Sequence, residues 1–324
     1  MLKQSTKQLI WKLSRFKQSE SPPIALFASR RGGSTWMMDL LAVNRGVRYI
    51  NQPFCLFDAS SDHRRRLPSP PLSRFIHLEG EDERKVLAFV EGLLNGTVQV
   101  NAPWEIWKPG FDFKSDRILL KILAAKPIID WLDKQFDFQI VYLTRHPIPT
   151  ALSIIRNRWS VLVEPYFSNP YFRERHLTNE QAEFGLRVLA DGGPLEHFVL
   201  EWVLENLVPL RLLPKRPSWL HVTYEDTLLN PIQTIDRLKS ELHLPDRDRM
   251  IEQVGRASRS TKKAASTFSE DEEASHRLAS WRKHVSPEDL TAVQRILDVF
   301  GVSLYRSGSD LPMAQVAGYQ SASE

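Results

Sequence analysis

The sequence predicts an α/β fold of the doubly wound kind, a mainly parallel central sheet between two layers of helices. Three observations predict it. Continuous apolar runs of strand length recur, as IALFAS at 24–29, ILLKIL at 118–123, QIVYLTR at 139–145 and WLHVTY at 219–224. Helical patterns stand between or after them, over 35–44, 127–135, 147–159 and 231–242. Strands that are apolar throughout, rather than alternating, are those covered on both faces, as in a three-layer α/β/α arrangement.

Taken in chain order, residues 1–20 read as an N-terminal amphipathic helix. Leu2, Leu9, Ile10, Leu13 and Phe16 fall at helical spacing with lysines between them. Two readings stay open for it: packing on the domain, or a weak membrane-surface contact through residues 1–18. It lacks the apolar core and cleavage site of a signal peptide. SerProPro at 21–23 ends it, and the first strand follows. The stretch over about 51–116 fits the alternation poorly and reads as an insertion, with a Pro-rich loop and a helix over 81–94. Helices at 178–190 and 195–208 are split by Gly192 and Gly193, and a last helix covers 287–299. Residues 21–305 therefore read as one domain, and the small, polar stretch 306–324 as a disordered tail.

Composition narrows the function. Of 324 residues, 42% are hydrophobic and 25% charged, which suits a globular protein, and the formal net charge is only +4. Nucleic-acid binding would leave a dense basic stripe with aromatics between, and none is visible; Arg64–Arg66 reads as a solvated loop. A lone cysteine, Cys55, rules out an intrachain disulfide and suits a reducing compartment. No window approaches the ~20 apolar residues of a membrane span, and a cytoplasmic location is expected.

Chemistry concentrates in two places. SRRGGSTW at 29–36 joins a strand to a helix. Glycines let consecutive N–H groups turn inward, and the helix N-terminus adds partial positive charge, so the turn suits an anion. Ser34 and Thr35 add hydroxyl donors and Arg31 a permanent cation. An NTP-hydrolysing loop would need GxxxxGK followed by Ser or Thr; here Ser34 follows Gly33 and the cation precedes the glycines. The second place is Arg145, at the end of a strand, with Ser153 two turns into the helix that Pro147 opens. In doubly wound sheets ligands bind beyond the strand C-termini, the rim that also carries 29–35.

Together these stretches resemble the sulfotransferase family, which uses 3′-phosphoadenosine 5′-phosphosulfate as donor. SRRGGSTW is similar to its loop for the 5′-phosphosulfate, and Arg145 with Ser153 to its 3′-phosphate pair. HVTYEDTLLNPIQTIDRLKSELHL at 221–244, the helix with Glu201, Trp202 and Asn206, and Trp281–Arg282 also have counterparts there. The resemblance implies a P-loop NTPase-like sulfotransferase fold. It implies that Arg31 meets the oxygen bridging sulfur and phosphorus, where a fixed cation stabilises the charge that grows as the S–O bond breaks. It implies that Gly32, Gly33, Ser34 and Thr35 hold the 5′-phosphate, that Trp36 belongs to the nucleotide site, and that Tyr224 lies near the adenine. Arg30 either joins the cofactor site or pairs with an acidic neighbour. Lys121 aligns with a strand lysine that binds the reacting groups; a lysine snorkelling to solvent is the competing reading. No metal is implied, and adenosine 3′,5′-bisphosphate (PAP) is the product.

The general base departs from the pattern. Some members place a histidine two residues beyond the strand lysine, where this chain has Leu123; others use a glutamate shortly after the first helix, where it has Asn51 and Gln52. His77 and Glu79 in the insertion are weak candidates. The partner implied is a hydroxyl-bearing acceptor on a carbohydrate, a lipid or a small molecule. Two aromatic groups, Trp104, Trp107, Phe111 and Phe113, then Trp159, Tyr166, Phe167, Tyr171 and Phe172, either border it or form a satellite core. The rival readings are a catalytically silent binder of adenosine bisphosphate and a P-loop kinase or NTPase, the last disfavoured by the missing lysine after the glycines.

Overall fold

Five strands, all parallel, build the sheet of the computed structural model: β1 (Ile24–Ala28), β2 (Val47–Asn51), β3 (Arg117–Ile122), β4 (Gln139–Thr144) and β5 (Leu220–Thr223), in the order β2-β3-β1-β4-β5. The structure describes residues 6, 9–10, 13–17, 20–100, 111–254 and 270–313. The four apolar runs are all strands, and their uniform burial follows from cover on both faces. Ile24, Leu26 and Ala28 of β1 join one core with Met37, Leu41, Ile235 and Leu238, contributed by α1 (Ser34–Ala42) and, for the last two, Pro231–Leu242. Ala25 and Phe27 point to the opposite core with Val86, Phe89 and Leu132. Those come from α2 (Gly80–Leu94) and α3 (Ile129–Phe136). This is the period-two alternation of a strand, with both sides apolar.

A third core gathers around α6 (Pro194–Leu212), whose Val199, Val203 and Leu207 pack with Ile148 and Ala151 of α4 (Pro147–Arg156) and with Val293 and Ile296. The helix before it, α5 (Asn179–Asp191), is capped by a reciprocal Thr178–Gln181 box. Two further long helices are α7 (Pro231–Leu242) and α8 (Pro287–Val299), and shorter ones stand between these elements. The sequence pattern ends α6 at 208, yet the helix continues through Pro209 to Leu212.

Register sets the functional rim. Ala28 pairs with Leu143 and Thr144 with Thr223, so the turn after β1, Arg145 after β4 and Tyr224 after β5 leave the sheet side by side.

Three expectations are corrected. Strand β2, within what reads as a helix-to-insertion connection, is a member of the sheet. Its apolar run is interrupted by Arg48, which is buried, donates to Ser14 Oγ at 2.8 Å, lies 5.5 Å over the Phe16 ring, and is lowered to about 10 by burial. The leading helix does not run through residue 16: Thr6, Leu9, Ile10 and Leu13 are helical, but Arg15–Phe16 pairs in parallel with Lys114–Ser115, and the rest of 1–20 lies largely outside the described residues. The tail is ordered as far as Met313, whose N–H bonds to Leu304 O at 2.8 Å, and Arg282 grips Asp310 at 2.8 Å; residues 314–324 lie outside the described residues. No described helix is long and apolar enough to cross a membrane.

Candidate functional site

The turn between β1 and α1 is held in an unusual backbone shape. Gly33 has φ +88°, and Arg31 has φ +61°. The left-handed region costs a residue with a Cβ roughly 1–2 kcal/mol. Such strain in a loop persists where neighbours impose it, and it gathers at functional sites. Gly33 is the N-cap of α1 and offers no side chain to its first N–H groups, which leaves them directed past the turn.

Arg145 reaches this turn from β4. Its Nη1 donates to Arg31 O at 3.0 Å, and its guanidinium lies 4.3 Å over the Tyr224 ring, a cation–π contact. Arg31 Nε in turn donates to Ser153 Oγ at 2.9 Å, on α4. The two constellations read from the sequence are therefore in direct contact through Arg31.

Positive charge accumulates here. Burial, then Arg145, then Arg156 lower the pKa of Arg31, and among the described residues no carboxylate pairs with it. A guanidinium crowded by two others is relieved by a polyanion.

Lys121 does not snorkel. It is buried within β3, and its Nζ donates to Thr35 Oγ1 at 3.0 Å, which brings it to the first turn of α1. Ser34 is buried, Thr35 is exposed, and Trp36 is half-buried against the α1–α7 core. Gly32 is buried, its position packed at the Ser29 carbonyl. Arg30 follows the acidic alternative: its Nη2 donates to Glu201 Oε1 at 2.6 Å and to Ser160 O at 3.2 Å. The exposed indole of Trp159 lies 5.8 Å from the guanidinium carbons of both Arg30 and Arg31.

The base candidates have partners of their own. His77 stacks on Tyr171 with ring centroids 3.6 Å apart, and its Nε2 stands 3.8 Å from Glu79 Oε2. Leu123 packs against the α1–α7 core. Gln52, at φ +53°, donates its N–H to Lys121 O at 2.9 Å. Of the aromatic groups, Tyr166, Phe167 and Phe172 are buried in the α6 core, as a satellite core requires. Phe111 and Phe113 meet edge to face at 4.9 Å, and Trp104 and Trp107 lie outside the described residues.

Sequence reasoning missed the polar layer behind the turn. Lys126 Nζ lies 2.8 Å from Ser29 Oγ, 3.2 Å from Asn206 Oδ1 and 2.6 Å from Glu205 Oε1; burial lowers it to about 8. Arg74 bonds both Glu201 and Glu205. Behind Arg145, Glu225 accepts from His146 N at 2.9 Å and from Tyr305 OH at 3.0 Å, and burial raises it to about 7. A signal for the first of these was present: Glu201 and Glu205 sit one turn apart on a helix apolar on every side, and carboxylates buried there must find cations.

No protein-family profile matches the chain, and no curated protein matches it. Among solved structures it is similar to the mouse sulfotransferase SULT7A1 complexed with PAP, at 13% identity over 92% of this chain and 91% of that one, with a TM-score of 0.43. It is similar to the sulfotransferase domain from the curacin biosynthetic pathway, at 17% identity over 87% and 99%, TM-score 0.48. A third is the sulfotransferase domain from the Synechococcus PCC 7002 olefin synthase, at 18% identity over 90% and 100%, TM-score 0.44. These alignments run along some nine-tenths of the chain.

Proposed function

We propose that the chain is a sulfotransferase that moves a sulfuryl group from 3′-phosphoadenosine 5′-phosphosulfate to a hydroxyl of a carbohydrate, lipid or small-molecule acceptor. The observation that carries this reading is the meeting of Arg31, Ser153 and Arg145 on one rim, at 2.9 and 3.0 Å, with no carboxylate on Arg31 among the described residues. The residues present fit such a donor. Arg145 and Ser153 hold the 3′-phosphate, the N–H groups of Gly32–Thr35 with the Ser34 and Thr35 hydroxyls hold the 5′-phosphate, and Trp36 and Tyr224 flank the adenine. The donor supplies an activated sulfuryl group on a phosphate leaving group. Arg31 and Lys121 face the bond that breaks, and their fixed charge favours the separating phosphate over the bound ground state. The acceptor oxygen attacks sulfur in line and loses its proton to a base; His77 and Glu79 are the candidates.

A second reading has its own observation. Gln52 lies against the strand end at Lys121, and an amide takes no proton at neutral pH. A chain that grips PAP and transfers little would look the same.

Incubation with labelled phosphosulfate donor and a panel of sugars, phenols and lipids separates the two. Transfer that disappears in Arg31→Ala supports the enzyme. Tight PAP binding with no transfer across the panel supports the silent binder, and tighter binding of ATP with magnesium than of PAP would turn the assignment toward an NTPase.

A further inference from the structure

We infer that Glu201 is a positioning residue for the 29–33 turn, acting through Arg30, and that Arg30 is a fastening of that turn rather than a phosphate contact. This rests on the proposed nucleotide reading. The buried Glu201 carboxylate gathers three segments that are remote in sequence. Oε1 accepts from Arg30 Nη2 at 2.6 Å and from Arg74 Nη2, and Oε2 accepts from Leu162 N at 2.9 Å. Arg30 completes the link by donating to Ser160 O at 3.2 Å. The segment 159–162, with its indole beside Arg31, is thus fastened to the turn by one carboxylate and one guanidinium.

The geometry explains how Arg31 keeps a left-handed backbone. Its N-terminal neighbour is anchored in an ion pair to the buried Glu201, and its own carbonyl is held by Arg145. Two anchors on either side of one peptide unit leave that strained residue little freedom. Charge-assisted bonds to a buried carboxylate are among the stronger ones available for this. Without the carboxylate, Arg30 loses its partner, and the end of the site that meets the 5′-phosphate loosens while the Arg145–Tyr224 stack is untouched.

Calorimetric titration of PAP, adenosine 5′-monophosphate and adenosine 3′-monophosphate tests this on wild type, Glu201→Gln, Arg30→Ala and the double variant. The expected pattern is selective. Each single variant weakens PAP and the 5′-monophosphate by about tenfold or more, the scale of one charge-assisted hydrogen bond, and weakens the 3′-monophosphate clearly less, since Arg145 and Ser153 touch Arg31 but stand outside the turn. The double variant is no worse than the poorer single one, because the two residues act as one unit. Arg30 is partly exposed, so Arg30→Ala keeps the test in force if Glu201→Gln does not fold. Equal losses for all three ligands, or unchanged affinity, overturn the inference. Tighter binding in Glu201→Gln overturns it too, since a released Arg30 would then be gripping phosphate. Wild-type protein that binds none of the three defeats the nucleotide reading itself, a different result from any of these.

Discussion

The Tyr224 ring stands where a side chain at position 33 would have to go. A Cβ built on Gly33 would lie 2.6 Å from Tyr224 Cδ2, and the glycine also has φ +88°. Gly33→Ala therefore meets both a clash and a backbone penalty, and it lowers PAP affinity by about tenfold or more, with a loss of stability of about 1–3 kcal/mol. Adding Tyr224→Ala removes the clash but not the backbone penalty, so the pair recovers the thermal midpoint only in part. Calorimetric binding and thermal unfolding of the single and double variants check this.

Arg145→Lys keeps the charge and loses the planar fork. Arg145 uses that fork in two directions, along an N–H to Arg31 O and flat over Tyr224, and a lysine cannot reproduce both. Affinity for adenosine 3′-monophosphate falls by about tenfold or more, a loss on the scale of one charge-assisted bond. Affinity for the 5′-monophosphate changes less. A titration with both nucleotides reads the asymmetry.

Lys121→Met keeps most of the side-chain volume in β3 and removes the ammonium that reaches Thr35. The proposed role makes its charge matter most in the transition state, so the rate of transfer falls on the order of 10²- to 10³-fold while PAP affinity changes little. Single-turnover kinetics with labelled donor measure the first, and calorimetry the second. Equal losses in both would assign Lys121 to ground-state binding.

Stability should vary with pH between about 4 and 7, with opposing contributions. Glu225, raised to about 7 by burial, holds its proton in the fold at a pH where the unfolded chain has lost it, so its contribution is fully present below about 4.5 and is lost as pH rises through 7. His146 and His221, lowered to about 4 by burial, act oppositely: their contribution is present above about 6.5 and lost as pH falls toward 4. Glu225→Gln can still accept from His146 N, and it removes only the loss between about pH 4.5 and 7. Thermal midpoints from pH 4 to 9 for wild type and variant test this; an unchanged slope between pH 4.5 and 7 would count against it.

What was legible in the sequence followed burial. β1, β3, β4 and β5 announce themselves because nothing polar interrupts them, and Pro147, Pro231 and Pro287 mark the helix starts they later occupy. β2 was hidden by Arg48, whose buried guanidinium finds Ser14 from a segment outside the sheet. The 29–36 turn, Arg145 and Ser153 could be named from motif and spacing, and Arg31 proves to touch both others. Their closeness could not be read, because it depends on the register of Ala28 with Leu143 and of Thr144 with Thr223. Neither could the choice of Arg30 between phosphate and Glu201, residues 171 positions apart.

Those separations bear on how the protein is made. Arg31 meets Arg145 across 114 positions and Ser153 across 122, and Tyr224 closes over Gly33 later still. A ribosome delivers these parts one at a time, and long-range pairings of this kind form slowly. A nascent chain halted before β5 holds the turn and both arginines yet lacks the aromatic wall, so the proposed nucleotide grip is completed late in translation.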